Sequence, residues 1–247
     1  MNPSESNSDK ITPRSTFFTP VTLFALAVIV VQILISLITY PLLPARVPMH
    51  WNAAGQVDSY GPKWLNAVLF PLISIGVYAL IRLLLAAGPR LGTQNAQRAN
   101  LEVVNLIINA VLLLMLVLQL IVTAISLGVE LDINFVIILA VSILFIFIGN
   151  YMGKLRRNFW AGIRTPWTLA SEVVWERTHR LGGWLFVVGG LLGIIVSFIP
   201  WLRVWGFMVV LLVIIVIPIV YSYLAYQHYT VEGHEPLSPP FDNSDHG

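Results

Sequence analysis

Two polar stretches of this chain carry side chains that could do chemistry. The first is 149–179, GNYMGKLRRNFWAGIRTPWTLASEVVWERTH. Its Glu172, Trp175, Glu176 and His179 recur at i, i+3, i+4 and i+7, so a helix would set them on one face. Glu176 and His179 form a Glu-x-x-His pair, a metal-ligating unit of di-metal carboxylate bundles. Those bundles need two such pairs plus further carboxylates, and this stretch has one, so no metal is expected. A general acid–base role for Glu172 or Glu176 lacks a nucleophile or an oxyanion pocket to act with. Arg164 has a planar fork suited to a carboxylate, a phosphate headgroup or an indole face, and Glu172 is an available partner. The alternative for Arg164 is that it serves only as a topology charge. The second stretch, LPARVPMHWNAAGQVDSYGPK, holds His50, Asn52 and Asp58. One His and one carboxylate are too few for a zinc site, and a hydrogen-bonded turn that holds the loop's shape is the simpler reading. The chain has no cysteine, which excludes disulfides, thiolate metal sites and a Cys nucleophile. Neither stretch defines a catalytic constellation, so no enzyme activity and no cofactor are expected.

The elements that position these stretches are read from composition. Of 247 residues, 57% are hydrophobic and 11% charged, and the mean hydropathy is +0.81. Soluble globular domains do not look like this. The chain is expected to be an all-α integral membrane protein, since each bilayer crossing takes roughly 20 apolar residues and must satisfy its own backbone. Six spans are predicted: Phe17–Tyr40, Trp64–Leu85, Val103–Leu127, Ile133–Tyr151, Leu181–Ile199 and Val204–Tyr226. The first is too long for a signal-peptide core and lacks a small-residue cleavage pattern, so it is read as retained.

Orientation follows from the basic residues. With the N-terminus inside, the inner segments hold Lys10, Arg14, Arg82, Arg90, Arg98, Lys154, Arg156, Arg157, Arg164, Arg177 and Arg180, eleven in all, while the outer loops hold Arg46, Lys63 and Arg203. Both termini are therefore expected in the cytosol. The same bias explains a pI near 9.0 without direct nucleic-acid binding. Residues 1–16 and 231–247 read as disordered tails, the second acidic. Between them lie a two-helix region, 17–85, with an outer loop 41–63, and a four-helix region, 86–230, with an inner loop 152–180. The polar run 86–102 reads as a turn and a short helix leading into span three.

Within the outer loop, Pro44 and Pro48 forbid helix, and Asn52–Gly55 offers an Asx-type turn closed by glycine. A hairpin-like cap is expected, with Trp51, Tyr60 and Trp64 at the membrane interface. Within the inner loop, Pro166 pushes Thr165 out of helical geometry, and Thr168 is expected to cap a short interfacial helix from Leu169. That helix would place Val173, Val174 and Arg177 elsewhere on its surface. Span three carries a stripe of Asn105, Asn109, Gln119, Thr123 and Ser126, either interhelical hydrogen bonding or the wall of a polar cavity. Gly189, Gly193 and Ser197 form a small-residue ladder for close helix packing. No Asp, Glu, Lys or His lies mid-span, which argues against an ion-coupled pump.

The two loops resemble those of a known family. The outer loop has a Pro-x-His-Trp-Asn-x-x-Gly-x-x-Asp pattern similar to the signature of a bacterial membrane domain of unknown function, DUF1648. The inner loop, with Gly-x-Arg-Thr-Pro-Trp-Thr, resembles the signature of the SdpI family, immunity proteins against a secreted peptide that attacks the cytoplasmic membrane. The resemblance covers residues 20–226. It implies a multipass protein of the bacterial cytoplasmic membrane that gives resistance to such a toxin. It also implies a second role, as a receptor that holds a cytosolic ArsR-type repressor at the membrane. The expected partners are therefore membrane lipid, a secreted toxin peptide and that repressor. The motif positions carried over as toxin- or partner-binding candidates are Pro48, His50, Asn52, Gly55 and Asp58 outside. Inside they are Asn150, Asn158, Gly162, Arg164, Thr165, Pro166, Trp167, Thr168, Glu172 and Trp175, with His179 beside them. The competing reading is a membrane enzyme or a carrier for an amphipathic molecule, using Arg164 and Glu172 at headgroup level.

Overall fold

A computed structural model describes residues 19–87 and 94–231. Residues 1–18, 88–93 and 232–247 fall outside the described residues, and with them the expected tail 1–16, nearly all of the expected tail 231–247 and the turn expected after span two. Apolar runs too long for any other backbone solution become helices: α1 (Pro20–Thr39), α2 (Lys63–Ala87), α3 (Gln94–Ser126), α4 (Ile133–Met152), α6 (Glu172–Ser197) and α7 (Arg203–Tyr226), with a short α5 (Pro166–Ala170) before α6. Six of these are long and apolar enough to cross a membrane, as hydropathy predicts. A π-helical turn, Gln227–Val231, ends the described chain. Local signals set the helix starts. The Thr19 hydroxyl accepts from the Thr22 N–H with Pro20 at the first helical position, and Asp132 accepts from the Phe135 N–H at the start of α4.

Between α1 and α2 the chain forms an antiparallel hairpin, β1 (Arg46–Trp51) and β2 (Val57–Pro62), in which Val47 faces Gly61 and Trp51 faces Val57. At the opposite end of the bundle lies the segment from Gly153 to Ser171 that connects α4 to α6. Alternation of the spans puts these two structures on opposite ends.

The packing has two centres. α1, α2 and α3 pack together, and a core of Ala25, Val28, Ile29, Val103, Val104, Ile108 and Leu112 extends to Leu155 of the connecting segment and Trp175 of α6. α4, α6 and α7 form the second centre. α4 and α6 approach so closely that a methyl group on Gly149 would lie 2.6 Å from the Gly183 carbonyl oxygen, and one on Gly190 2.6 Å from that of Ser142. Bilayer helices gain most from such contacts, because lipid supplies no hydrophobic force between them. The ladder read from Gly189, Gly193 and Ser197 is present and faces mainly α7 and Ser142, since added methyls at the two glycines would meet Ile214 and Ser142. Gly149, Gly183 and Gly190 form a second ladder not read from the sequence.

The stripe on α3 is used for interhelical hydrogen bonds. Asn109 donates to the Val21 carbonyl at 3.2 Å. Gln119 donates to the Gln32 carbonyl and to Ser36 Oγ, each at 2.9 Å. Ser126 accepts from Asn66 at 3.4 Å. The Gln32 side-chain amide, fully buried on α1, has no protein partner.

Candidate functional site

The connecting segment at the loop end is built from within. Asn158 Oδ1 accepts from the Trp160 and Ala161 N–H groups, each at 2.8 Å, and its amide donates to the Arg156 carbonyl at 2.8 Å. This Asx turn leads to Gly162, whose φ of +112° suits glycine alone. A side chain there would also run into the His179 ring. Ile163 N–H donates to His179 Nε2 at 3.0 Å, and His179 Nδ1 lies 2.9 Å from the Trp175 carbonyl. The two partners fix the tautomer: Nε2 accepts, so Nδ1 carries the proton. The Trp175 ring stacks on His179 at a centroid distance of 4.0 Å and donates its Nε1–H to the Leu155 carbonyl at 2.8 Å.

The Gly-x-Arg-Thr-Pro-Trp-Thr run continues this framework. Thr165 caps α5, exchanging hydrogen bonds with Thr168 in a capping box, with Pro166 at the first position. Thr165 also meets Ser222 of α7 at 3.0 Å, and Trp167 packs edge-on against Tyr223 at 5.1 Å. Thr168 donates to the Ile163 carbonyl at 2.8 Å. α5 then ends at Ser171, whose hydroxyl caps α6.

Several expectations change here. The cap is Thr165, with Ser171 for the next helix, rather than Thr168. Thr168 sits at the third helical position and completes the box, a role that needs a hydroxyl just as a cap does. Glu172, Trp175, Glu176 and His179 do not present one common exposed face. Glu172 and Glu176 are exposed, whereas Trp175 and His179 are fully buried, as is Val174. The helix is wrapped by the segment that precedes it, so it is not an interfacial helix lying free. Arg164 does not pair with Glu172. It is exposed and its guanidinium donates to the Phe159 carbonyl. The carboxylate that finds a cation is Glu176, 2.6 Å from Arg156. Arg157, counted among the basic residues that set the orientation, is half-buried with Nη1 sealed from solvent and without a protein partner. Asn150 is exposed and its amide donates back to Ile146 at 2.8 Å.

At the hairpin end, Asn52 Oδ1 accepts from Ala54 and Gln56 N–H groups, each at 3.0 Å, and Gly55 takes a φ of +78°. Pro48 is buried on β1. His50 Nδ1 and Asp58 Oδ1 lie 2.6 Å apart across the strands and are exposed. The hairpin tip docks on the second packing centre, Asn134 donating to the Ala53 carbonyl at 2.9 Å. Beside it a polar recess of about 220 Å³ is lined by Gly55, Asp132, Asn134 and Arg203. Sequence reading missed this group. Arg203, nearly buried at the start of α7, donates to the Ser197 carbonyl at 2.7 Å and pairs with Asp132. Burial pushes the Asp132 carboxyl up, but hydrogen bonds from Arg203 and Phe135 outweigh it and hold the pKa below the usual value. The two residues are 71 positions apart, so only the fold reveals the pair. Trp64, Trp201 and Trp205 are exposed at this end, in the manner of an interfacial aromatic belt.

Six spans, a hairpin at one end and a self-capped basic loop at the other define a multipass membrane protein whose polar residues concentrate at its two ends. Residues 154–222 match the SdpI/YfhL protein family, and residues 27–75 match a domain of unknown function, DUF1648. The chain is 29% identical over 207 residues to the Immunity protein SdpI of Bacillus subtilis (strain 168), covering 84% of this chain and 94% of that protein. The resemblance to the SdpI family read from the two loops is borne out, and the chain is a multipass protein of the bacterial cell membrane. No solved structure matches it.

Proposed function

We propose that this chain is an immunity protein of the cytoplasmic membrane that gives resistance to a secreted membrane-active peptide. The observation that carries the reading is similarity along nearly the full length of a protein named for immunity, through both families at once. In this reading both termini are cytosolic, the hairpin faces the side from which toxin arrives, and the 153–171 segment faces the cytosol. His50, Asn52 and Asp58 on the exposed hairpin would meet toxin. Arg164, Glu172 and Glu176, exposed at the other end, would meet a cytosolic repressor if the chain also acts as a receptor. Gly162, Thr165, Thr168, Trp175 and His179 would act by holding that surface in shape.

The test is paired: survival of a toxin-sensitive strain expressing the chain, and membrane retention of a labelled repressor. His50→Ala with Asp58→Ala should lower both readouts. Glu172→Ala with Arg164→Ala should lower retention and leave resistance. If neither pair changes either readout at equal membrane abundance, the two-sided reading fails. If the wild-type chain gives no survival at all, the immunity reading fails with it.

A further inference from the structure

A groove of about 640 Å³ lies on the flank of the bundle, where α3 forms the floor and α1 and α4 the walls. Phe24, Leu113, Val117, Ile143 and Phe147 line it, and Leu113, Val117, Ile143 and Phe24 remain exposed toward the surrounding membrane. Its one polar lining residue, Asn109, already spends its amide on the Val21 carbonyl. The lining is therefore suited to hydrocarbon.

Two features identify the occupant. The first is depth. The floor runs from Leu106 to Val117 on α3, roughly 16 Å at a rise of 1.5 Å per residue. On α1 it reaches only Pro20, Val21 and Phe24, the first turns of the helix. It thus starts at the end of the bundle that bears the 153–171 segment and stops about halfway through a hydrocarbon layer ~30 Å thick. A spanning helix would need the whole depth; an acyl chain of one leaflet needs half. The second is charge. The α4 face that lines the groove, Ala140, Ile143, Leu144 and Phe147, continues one turn on to Tyr151. The Tyr151 ring lies 4.9 Å from that of Phe147, and the Lys154 ammonium sits 4.7 Å from the Tyr151 ring centre. An exposed cation, two residues past the end of α4, therefore stands beyond the groove on its headgroup side, over the ring that continues this helix face.

We propose that this groove is a lipid site. It holds one acyl chain of an anionic phospholipid from the adjacent leaflet, with the phosphate held by Lys154. The site is independent of toxin and of the resistance reading. It would fill the gap between α1 and α4 on this flank of the bundle.

The full chain, purified and stripped of lipid, would be re-exposed to phosphatidylglycerol or phosphatidylcholine and examined by native mass spectrometry. One phosphatidylglycerol should remain bound per chain, and phosphatidylcholine less well. Lys154→Glu, an exposed change that gives up the contact with the Tyr151 ring, should cut phosphatidylglycerol retention by about fivefold or more. It should also abolish the preference between the two lipids. Ala110→Phe, which fills the groove floor, should remove both lipids, while Leu212→Phe on the far side of α7 should change neither. Melting temperature would be checked for each variant. Equal lipid retention by wild type, Lys154→Glu and Leu212→Phe would overturn the proposal. So would a wild-type protein that retains neither lipid.

Discussion

Replacing Gly162 with Ala should unsettle the whole loop end of the molecule, because two separate penalties coincide at one Cβ. Gly162 has a φ of +112°, outside the conformations an L residue adopts readily, at a cost of about 1–2 kcal/mol. The added methyl also meets the His179 ring. His179 cannot swing away freely: it is fully buried, stacked on Trp175, and bonded at both nitrogens to Ile163 and Trp175. Moving it sacrifices the Ile163 bond, worth about 1 kcal/mol. The sum is about 2–3 kcal/mol, which corresponds to a fall in melting temperature of roughly 4–12 °C for a chain of this size. The assay is thermal unfolding of the detergent-purified protein, followed by loss of the monodisperse chromatographic peak. A double-mutant cycle with His179→Ala separates the two penalties. In the His179→Ala background the collision is gone, so Gly162→Ala should cost only its backbone share, and the coupling should be about 1 kcal/mol or more. Additive effects of the two changes would refute the steric argument. An unchanged melting temperature for Gly162→Ala alone would refute both parts.

Three further outcomes are expected. The chain has no cysteine, so single cysteines report topology directly: Ser59→Cys should react with an impermeant maleimide in intact cells, and Glu176→Cys only after permeabilisation, whereas equal labelling would undo the six-span orientation. Asp132→Asn should destabilise the protein by about 1 kcal/mol at neutral pH, a modest cost because the Asp132 side chain is 54% exposed and solvent screens the pair. The folded pKa of Asp132 is depressed from 3.8, so its contribution is full above that value and fades as pH falls through the lower folded value; pH-dependent melting below 4 should flatten at this site in the variant, and an unchanged profile would remove the pair from the account. Gln119→Leu breaks the bonds to the Gln32 carbonyl and Ser36 Oγ, and should cost about 1 kcal/mol in unfolding assays; a gain in stability would mean that the stripe is not held together by these contacts.

How much of this was legible in the sequence differs by kind of signal. The spans follow from length and hydropathy, because a bilayer permits few backbone solutions. The hairpin follows from Pro44, Pro48, Asn52 and Gly55, whose turn chemistry is local. The face of α6 was misread for a physical reason. In a soluble protein a buried face is the apolar one, but a membrane helix is apolar toward lipid as well, so Trp175 and Val174 gave no sign of facing inward. The burial of His179 was not foreseen, because polar groups on a helix usually point outward. Here a preceding loop wraps the helix and supplies Ile163 N–H as partner. The ion pairs were illegible for another reason: Arg156 and Glu176 are 20 positions apart and Asp132 and Arg203 further still, and neither separation follows a helical period. The proximity of Arg164 to Glu172 in sequence suggested a pair that Thr165, Pro166 and the two successive helix caps prevent.

The bond from Asn134 to the Ala53 carbonyl joins residues 81 positions apart, and this bears on the order in which a growing chain can mature. Ribosomes deliver the hairpin long before α4, so during synthesis the cap exists without its seat. Its tip, and the recess shared by Gly55, Asp132 and Arg203, close only after α4 and then α7 have entered the bilayer. The cap thus reports on completion: a chain truncated or stalled before its fourth crossing would leave the tip without the Asn134 bond that a finished chain makes.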